Sequence, residues 1–254
     1  SYQKQAQAWL DSGRPMTGGD HSYVKPLSGG ETLSRIIKEE AAHGVIVAAD
    51  GADALSALRL GEIWQWPVCT DLGSGARLGS TSGLAIPHYD WILEGCELQH
   101  EVDTVLWLGD RVIGKSVPNA FPHAKHWIQA TSHGAKQDPG NRVTHRVEMA
   151  TETACKSWEQ MCPSIVSREW AGRWQRANKA VAQTLDRWFE KTNHLLEPLV
   201  GAVVAESCEM GTGLVVGNSL PVRDIQLFSR ASGNRLAIAL NRGVSGIDGM
   251  LSTA

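Results

Sequence analysis

The chain has 254 residues, which is enough for one large domain or two ordinary ones with sizeable cores. Its hydrophobic fraction of 42% and charged fraction of 20% are globular values, and a net charge of −3 argues against nucleic acid or an anionic membrane as the main partner. No apolar run approaches the ~20 residues that a membrane span needs, and residues 1–25 do not resemble a secretory signal. We therefore expect a soluble protein.

The residue types that often mark special chemistry give no strong signal. The five cysteines are irregularly spaced without a C-x-x-C pair, so we expect reduced, mostly buried thiols. The nine histidines show no metal-ligand spacing, and a structural or surface role is favoured for the pair His123 and His126. Base stacking on a nucleic acid stays open for the tryptophans, but helical spacing favours core or interface packing. Four of them lie in one predicted helical region: Trp158, Trp170, Trp174 and Trp188.

The first half of the chain alternates between predicted strands and helices. Residues 1–27 are polar and are predicted to form a linker. The predicted strands are residues 44–49, 66–70 and 104–109, and the predicted helices are residues 33–41, 52–60, 89–93 and 119–128. Short apolar strands without period-two alternation indicate a parallel sheet with helices on both faces. Residues 28–135 are therefore predicted to form a Rossmann-like α/β domain.

A glycine-rich loop at residues 73–79 follows the second predicted strand. It spells G-x-G-x-x-x-G rather than G-x-G-x-x-G, and no acidic partner lies at the expected distance. A tight structural loop is therefore favoured over a dinucleotide site.

The second half begins with a connection and a helical segment, residues 136–195, in which residues 167–191 have strong helical periodicity. Residues 196–254 then start a second α/β unit with a helix at 199–207 and strands at 214–216 and 236–240. One or two strands cannot bury both of their faces, so we expect this second domain to be incomplete.

Two polar loops that contain glycine follow the last two predicted strands, at residues 217–224 and 241–249. Ligands of open α/β sheets lie at the carboxyl ends of strands. Ser219 would lie at a strand-to-helix junction whose free amides favour an anion, and Arg223 and Arg242 offer forked donors that suit carboxylates. The alternative that each arginine merely pairs with a nearby aspartate stays open.

These loops carry a family resemblance. GNSLPVRD (217–224) and NRGVSGIDGMLSTA (241–254) resemble stretches of 2-succinyl-5-enolpyruvyl-6-hydroxy-3-cyclohexene-1-carboxylate synthase, the thiamine-diphosphate enzyme of menaquinone and phylloquinone biosynthesis. The similarity continues upstream through residues 66–77, the triplet His88-Tyr89-Asp90 and residues 105–117. The resemblance implies a Rossmann-like central domain followed by the incomplete start of the pyrophosphate-binding domain.

The resemblance also assigns roles to residues that would bind substrate. Ser219, Arg223 and Arg242 would hold the carboxylates of 2-oxoglutarate and isochorismate. Lys115 matches a basic residue that the central domain points at the active site. Some family members have an arginine after that lysine, whereas this chain has Ser116 there.

The cofactor contacts implied by the resemblance are Gly246 and Ile247, with Ile247 as the apolar wedge that bends thiamine diphosphate. The implied reaction decarboxylates 2-oxoglutarate on this cofactor and adds the resulting succinyl carbanion to isochorismate. The glutamate that activates the cofactor belongs to an N-terminal domain, and the Mg²⁺ and diphosphate motif follows the matched region. We therefore expect no catalytic or metal-binding residue within these 254 residues and no activity from them alone.

Two alternative functions stay open. One is a fragment of an acetolactate synthase type of enzyme, although a pyruvate-like substrate needs fewer cationic anchors than this chain offers. The other is a non-catalytic central-domain module that binds a pathway product for regulation. Family members are homodimers or homotetramers that act on small molecules, without nucleic acid or a membrane span. The implied location is the cytoplasm for a bacterial protein and the chloroplast for one from a photosynthetic eukaryote.

Overall fold

The computed structural model describes most of the chain, namely residues 25–26, 30–80, 82–132, 138–163, 165–231 and 235–241. The strands of the larger sheet are β1 (Lys25–Pro26), β2 (Gly44–Ala48), β3 (Val68–Thr70), β4 (Ala85–Ile86), β5 (Thr104–Leu108), β6 (His126–Thr131) and β7 (His145–Glu148). A smaller sheet pairs β8 (Gly213–Val216) with β9 (Ala237–Leu240). All strand pairs are parallel, and the seven-stranded order is β1-β7-β6-β5-β2-β3-β4.

Seven α-helices accompany these strands in the part of the chain that the structure describes. They are α1 (Gly30–Arg35, continued by a π-helical turn at Ile36–Glu40), α2 (Ala54–Trp64), α3 (Tyr89–Gly95), α4 (Thr151–Trp158), α5 (Arg168–Lys191), α6 (Glu197–Ser207) and α7 (Leu220–Phe228). Three short 3-10 turns lie at Leu72–Ser74, Leu98–Glu101 and Val117–Asn119. The predicted Rossmann-like α/β fold is confirmed.

The two central strands show why their sequences lack alternation. Every residue of β2 and β5 is buried, and the two strands pair in register from Gly44 with Thr104 to Ala48 with Leu108. Both faces of these strands are covered, so both sets of side chains must be apolar. In one core cluster, α1, α2 and α4 pack on one face of the sheet. In a second cluster, α3 and the start of α5 pack on the other face.

Helix α5 buries two of its three tryptophans. The Ser167 hydroxyl accepts a hydrogen bond from the Trp170 amide at 3.0 Å and caps the helix. The Trp170 indole then donates to the Gly44 carbonyl at 2.9 Å, and Trp174 is fully buried beside it. Trp158 is buried in the opposite cluster, whereas Trp188 is 39% exposed. Core packing is confirmed for the first three of these rings.

The structure corrects the sequence prediction in two segments. The helix predicted at residues 119–128 is wrong, because residues 126–131 form the central-sheet strand β6. The segment interpreted as an irregular connection contributes β7 to the sheet and α4 to its surface. No residue of β7 is fully buried, so the strand tolerates the polar sequence HRVE, which carries no apolar pattern from which a strand could be predicted.

The second unit packs on the loops at the carboxyl ends of the large sheet. A third core cluster joins Leu72 and Ile113 from those loops to Val222 and Ile225 of α7. Helix α6 packs along α7, and its Ala205 belongs to the same cluster. This arrangement brings residues from both halves of the chain to one edge of the sheet.

Two properties of the whole fold follow from the described residues. All five cysteines are free thiols, but the expectation that most are buried is wrong, because only Cys69 and Cys155 are buried. Burial raises the pKa of the Cys155 thiol to about 12. None of the described helices combines the length and the apolar character needed to cross a membrane.

Candidate functional site

The site begins where the order of strands reverses between β2 and β5. Chain connections leave these neighbouring strands toward opposite sides of the sheet, which opens a crevice at their carboxyl ends. The backbone amide of Asp110 donates to the Asp50 carbonyl at 2.8 Å, and the Asp50 amide donates to the Arg111 carbonyl at 2.9 Å. Burial and the nearby Asp110 carboxylate raise the pKa of Asp50. The two strand ends thus form one rigid rim.

A cavity of about 760 Å³ lies at the end of β5. Its polar and aromatic lining residues are Trp107, Asp110, Arg111, Lys115, Asn119, Asp138 and Arg223. The sequence assigned Lys115 and Arg223 to substrate binding from separate motifs, and the structure brings them to the same cavity. Lys115 reaches it from the loop after β5, and Arg223 from the first turn of α7.

Cations outnumber available anions in this cavity. The Asp138 carboxylate accepts hydrogen bonds from the Arg142 and Val143 amides, both at 2.9 Å, and the Asp110 carboxylate accepts one from the Thr131 hydroxyl at 2.6 Å. Among the residues that the structure describes, neither Lys115 nor Arg223 forms an ion pair. The two cations are therefore available to a bound anion.

The alternative that Arg223 pairs with the adjacent aspartate does not describe this structure. Asp224 is buried, and burial together with the Glu197 carboxylate raises its pKa. A carboxylate paired with an arginine would have a lowered pKa instead. Asp224 packs toward α6, since a Cβ at Gly201 would lie 3.2 Å from its own Cβ.

Ser219 holds an unusual backbone conformation at the start of α7. Its φ of 72° and ψ of −124° lie outside the regions that non-glycine residues favour, and its side chain makes no capping hydrogen bond. Such strain costs on the order of 1–3 kcal/mol and is concentrated at functional sites. The residue is exposed and does not belong to the lining of the cavity that contains Lys115 and Arg223.

Trp107 adds an aromatic ring to the cavity wall that the sequence analysis did not single out. Its side chain is 1% exposed, and its indole N–H has no hydrogen-bond partner among the described residues. Several other buried tryptophans share this property, but Trp107 is the one among them that lines the cavity beside Lys115. The N–H itself is closed to solvent, so Trp107 shapes the wall of the cavity and is not assigned as a donor to a ligand.

Beneath the cavity lies a buried carboxylate, Asp71, at the end of β3. Its Oδ2 accepts hydrogen bonds from the Ile113 amide at 2.8 Å and the Tyr89 hydroxyl at 2.9 Å, while its Oδ1 accepts one from the Gly73 amide at 3.0 Å. Burial raises the pKa of Asp71 to about 6, against the effect of these hydrogen bonds. Asp71 therefore ties the loop after β3 to the loop that carries Lys115.

A second buried carboxylate, Asp90, lies on α3. Its Oδ2 accepts a hydrogen bond from Gln226 Nε2 at 2.8 Å, and Gln226 Oε1 in turn accepts one from the Leu72 amide at 2.8 Å. Burial raises the pKa of Asp90, and the hydrogen bond from Gln226 and the charge of Arg77 oppose this effect. The amide of Gln226 thus joins α7 to both α3 and the loop after β3.

The buried Arg77 completes this layer. It donates to the Ser229 carbonyl at 2.9 Å and to the Pro87 carbonyl, and burial lowers its pKa to about 10. Burial and the charge of Arg77 lower the pKa of His88 to about 3, so His88 is neutral at physiological pH. The triplet of residues 88–90, which the sequence analysis noted only by resemblance, is therefore buried structure beneath the site.

The glycine-rich loop at residues 73–79 is structural, as favoured from the sequence. Several backbone amides of this loop already donate hydrogen bonds to acceptors within the protein. The Gly73 amide donates to Asp71 Oδ1, the Gly75 amide to the Leu72 carbonyl, and the Gly79 amide to the Ala231 carbonyl. Gly75 and Gly79 have positive φ values of 66° and 67°, which explains glycine at both positions. These amides are not available to a nucleotide phosphate.

Other predicted site residues are not placed by the structure. Arg242, Gly246 and Ile247 lie outside the described residues. Ser116 donates from its hydroxyl to Glu94 Oε1 at 3.3 Å and adds no cation to the cavity. Within the described ranges, no group of His, Cys, Asp and Glu side chains has the arrangement of a metal site.

Sequence reasoning missed Arg111, Trp107 and the buried layer formed by Asp71 and Gln226. Arg111 follows a strand end and could have been proposed from the rule that ligands lie at carboxyl ends of strands. Gln226 could not, because its hydrogen-bond partners come from two elements far away in the sequence.

Comparisons with known proteins identify relatives of this chain, although no family model matches it. It is 29% identical over 221 residues to a 2-succinyl-5-enolpyruvyl-6-hydroxy-3-cyclohexene-1-carboxylate synthase from Rubrobacter xylanophilus, covering 84% of the chain and 38% of that protein. It is 30% identical over 223 residues to the synthase of the same name from Salinibacter ruber, covering 84% of the chain and 37% of that protein. It is also 27% identical over 230 residues to Protein PHYLLO, chloroplastic, from Arabidopsis thaliana, covering 78% of the chain and 13% of that protein. The chain therefore spans less than half the length of these curated relatives.

Proposed function

We propose, because this chain is a homologue of the 2-succinyl-5-enolpyruvyl-6-hydroxy-3-cyclohexene-1-carboxylate synthases, that it is part of a synthase acting on 2-oxoglutarate and isochorismate. In this proposal, the cavity at the end of β5 holds a substrate carboxylate between Lys115 and Arg223. The observation that carries it is the convergence of these two residues on one cavity, without an ion pair to another described residue.

The chemistry of the cavity suits a dicarboxylic acid. A carboxylate accepts a forked pair of hydrogen bonds from an arginine, while a lysine contributes a point charge. Hydrogen bonds to charged groups each contribute about 1.5–3 kcal/mol to an interaction. The ring of Trp107 forms part of the same wall. These residues would bind and orient the substrate, which is a large share of what an enzyme contributes to a reaction between two bound molecules.

The proposal includes thiamine diphosphate and Mg²⁺ for the complete synthase. When bound, the cofactor would supply the electron sink for decarboxylation of a 2-oxo acid and for carbon–carbon bond formation. Its assigned contacts, Gly246 and Ile247, lie outside the described residues, and no described residue is assigned to either group. What this chain's described residues do is therefore confined to the substrate carboxylate.

Calorimetric titration of the purified 254-residue chain with 2-oxoglutarate tests the proposal. Lys115→Ala and Arg223→Ala should each weaken binding by roughly tenfold or more, since each removes a charge-assisted hydrogen bond. Arg176→Ala is a matched control, because Arg176 pairs with Glu169 on the exposed face of α5. If both cavity variants bind like the unmodified chain, the proposed carboxylate site is wrong.

We further propose that the 254 residues alone do not complete the reaction. Incubation with thiamine diphosphate, Mg²⁺, 2-oxoglutarate and isochorismate should give no product, and turnover would overturn this part of the proposal. The alternative of a regulatory product site is tested by titration with 1,4-dihydroxy-2-naphthoate and thiamine diphosphate. Binding of the naphthoate alone would favour that alternative. The relatives reported above give no support to an acetolactate synthase type.

The remaining proposals concern assembly and location. We propose a homodimer or homotetramer for the complete synthase, which size-exclusion chromatography with light scattering would measure. One relative is named as chloroplastic and others are bacterial. We accordingly propose a chloroplast location for a plant source and a cytoplasmic one for a bacterial source.

A further inference from the structure

We propose that Gln226 and Asp90 are positioning residues that hold the Lys115 loop and the Arg223 helix at the separation needed to bind one carboxylate. This inference rests on the proposed function for its ligand, but the mechanical coupling can be measured without one. It concerns two buried side chains that do not line the cavity.

The first half of the coupling is the contact between the Lys115 loop and the buried carboxylates. The Ile113 amide donates to Asp71 Oδ2 at 2.8 Å, which fixes the backbone two residues before Lys115. Gly114 packs against the carboxylate of Asp90, since a Cβ added at Gly114 would lie 2.0 Å from Asp90 Oδ1. The loop backbone at Ile113 and Gly114, just before Lys115, therefore contacts the carboxylates of Asp71 and Asp90.

The second half is the contact between α7 and the same carboxylate layer. Gln226 follows Arg223 by three positions, so the two side chains are neighbours along the helix surface. Gln226 is 1% exposed, and both ends of its amide are used: Nε2 donates to Asp90 and Oε1 accepts from the Leu72 amide, each at 2.8 Å. A buried amide with two well-placed partners holds one helix orientation.

The two halves meet at Asp90. Its Oδ1 contacts the loop at Gly114, and its Oδ2 is bound by Gln226 from α7. Asp71 and Leu72, which are adjacent in sequence, provide a second link, because Asp71 binds the loop and Leu72 binds Gln226. A displacement of α7 would therefore move the loop, and the distance between the two cations depends on this layer.

Hydrogen–deuterium exchange of the full 254-residue chain provides a test without ligand. Gln226→Met keeps the size of the side chain but removes both hydrogen bonds. We expect residues 111–116 to exchange roughly tenfold faster in this variant, since the loop loses the fixed position of its support. The affinity for 2-oxoglutarate, measured by calorimetry, should fall by a similar factor.

The matched control is Ser229→Ala, which lies on the same side of α7 and removes a buried hydroxyl that accepts from Arg77 at 3.3 Å. It should leave exchange at residues 111–116 unchanged. Equal acceleration in both variants would show general loosening and overturn the inference, as would unchanged exchange in Gln226→Met.

A reciprocal variant protects the test against a folding failure of Gln226→Met. Gly114→Ala introduces a methyl group against Asp90 from the loop side and should accelerate exchange in residues 220–228 of α7. Absence of that effect would also overturn the inference. If the unmodified chain does not bind 2-oxoglutarate but both exchange effects occur, the proposed function fails and the positional coupling stands.

Discussion

Arg77 and Ser229 are joined by a hydrogen bond from the guanidinium Nη2 to the backbone carbonyl at 2.9 Å, although they belong to different α/β units of the chain. Arg77 is fully buried and also donates to the Pro87 carbonyl. Within the described part of the chain, no carboxylate lies at hydrogen-bond distance from this guanidinium, so burial of its charge must be offset by its hydrogen bonds to neutral oxygens. This contact therefore makes the packing of the second unit part of the stability of the first.

Replacing Arg77 should reveal this dependence. Arg77→Leu would leave the Ser229 and Pro87 carbonyls without their donor, and we expect the free energy of unfolding to fall by about 2–4 kcal/mol. Urea denaturation followed by tryptophan fluorescence measures this change. Arg59→Leu serves as the control, because its side chain is 68% exposed and should change stability by less than about 0.5 kcal/mol. A loss at Arg77 no larger than the loss at Arg59 would contradict the structural role of the contact.

The buried Asp71 predicts a specific dependence of stability on pH. Its pKa in the folded protein is raised to about 6 from an ordinary value of 3.8, so the folded state binds the proton more tightly than the unfolded state. Stability contributed by this group is therefore present below pH 3.8 and is lost as pH rises toward 6. Asp71→Asn removes the titration, and the difference in stability between the two proteins should change in the variant's favour between pH 4 and pH 7. Parallel pH profiles from urea denaturation would contradict the raised pKa.

Trp107 should contribute to the shape of the cavity as well as to the core. Trp107→Phe shortens a ring that is 1% exposed and lines the cavity, so we expect the free energy of unfolding to fall by about 1–3 kcal/mol. We expect binding of 2-oxoglutarate to weaken by roughly three- to tenfold as the cavity wall changes shape. Trp127→Phe is the matched comparison, because the ring centroid of Trp127 lies 6.2 Å from that of Trp107 and Trp127 does not line the cavity. Equal losses of affinity in both variants would indicate a packing effect.

At Gly44 in the central strand β2, a neighbouring ring leaves no space for a side chain. A Cβ at Gly44 would lie 2.2 Å from the Trp66 ring, which the core holds at 1% exposure. Gly44→Ala should therefore destabilise the fold by about 1–3 kcal/mol through overpacking. Gly95→Ala, where no atom lies within 4 Å of the added Cβ, should leave the melting temperature nearly unchanged. Calorimetric melting of both variants would distinguish a packing constraint from a general intolerance of these glycines.

The elements that the sequence predicted correctly are those with a strong local signal. Strands β2 and β5 are continuous apolar runs, and α5 carries its apolar residues at helical spacing behind a serine cap. Burial on both faces of a strand or on one face of a helix leaves this pattern in consecutive residues. Strands β4 and β7 leave no such pattern, because one is two residues long and the other is only partly buried.

The sequence by itself determined the α/β class, strands such as β2 and β5, the long helix α5, and a resemblance that assigned Lys115 and Arg223 to substrate binding. Those properties depend on residue type and spacing within short segments. Only the tertiary structure decided that Lys115 and Arg223 line one cavity and that Gln226 and Asp90 support both of them. Contacts of this kind join segments that are distant in the chain, and they are set by sheet order and helix packing rather than by any local pattern.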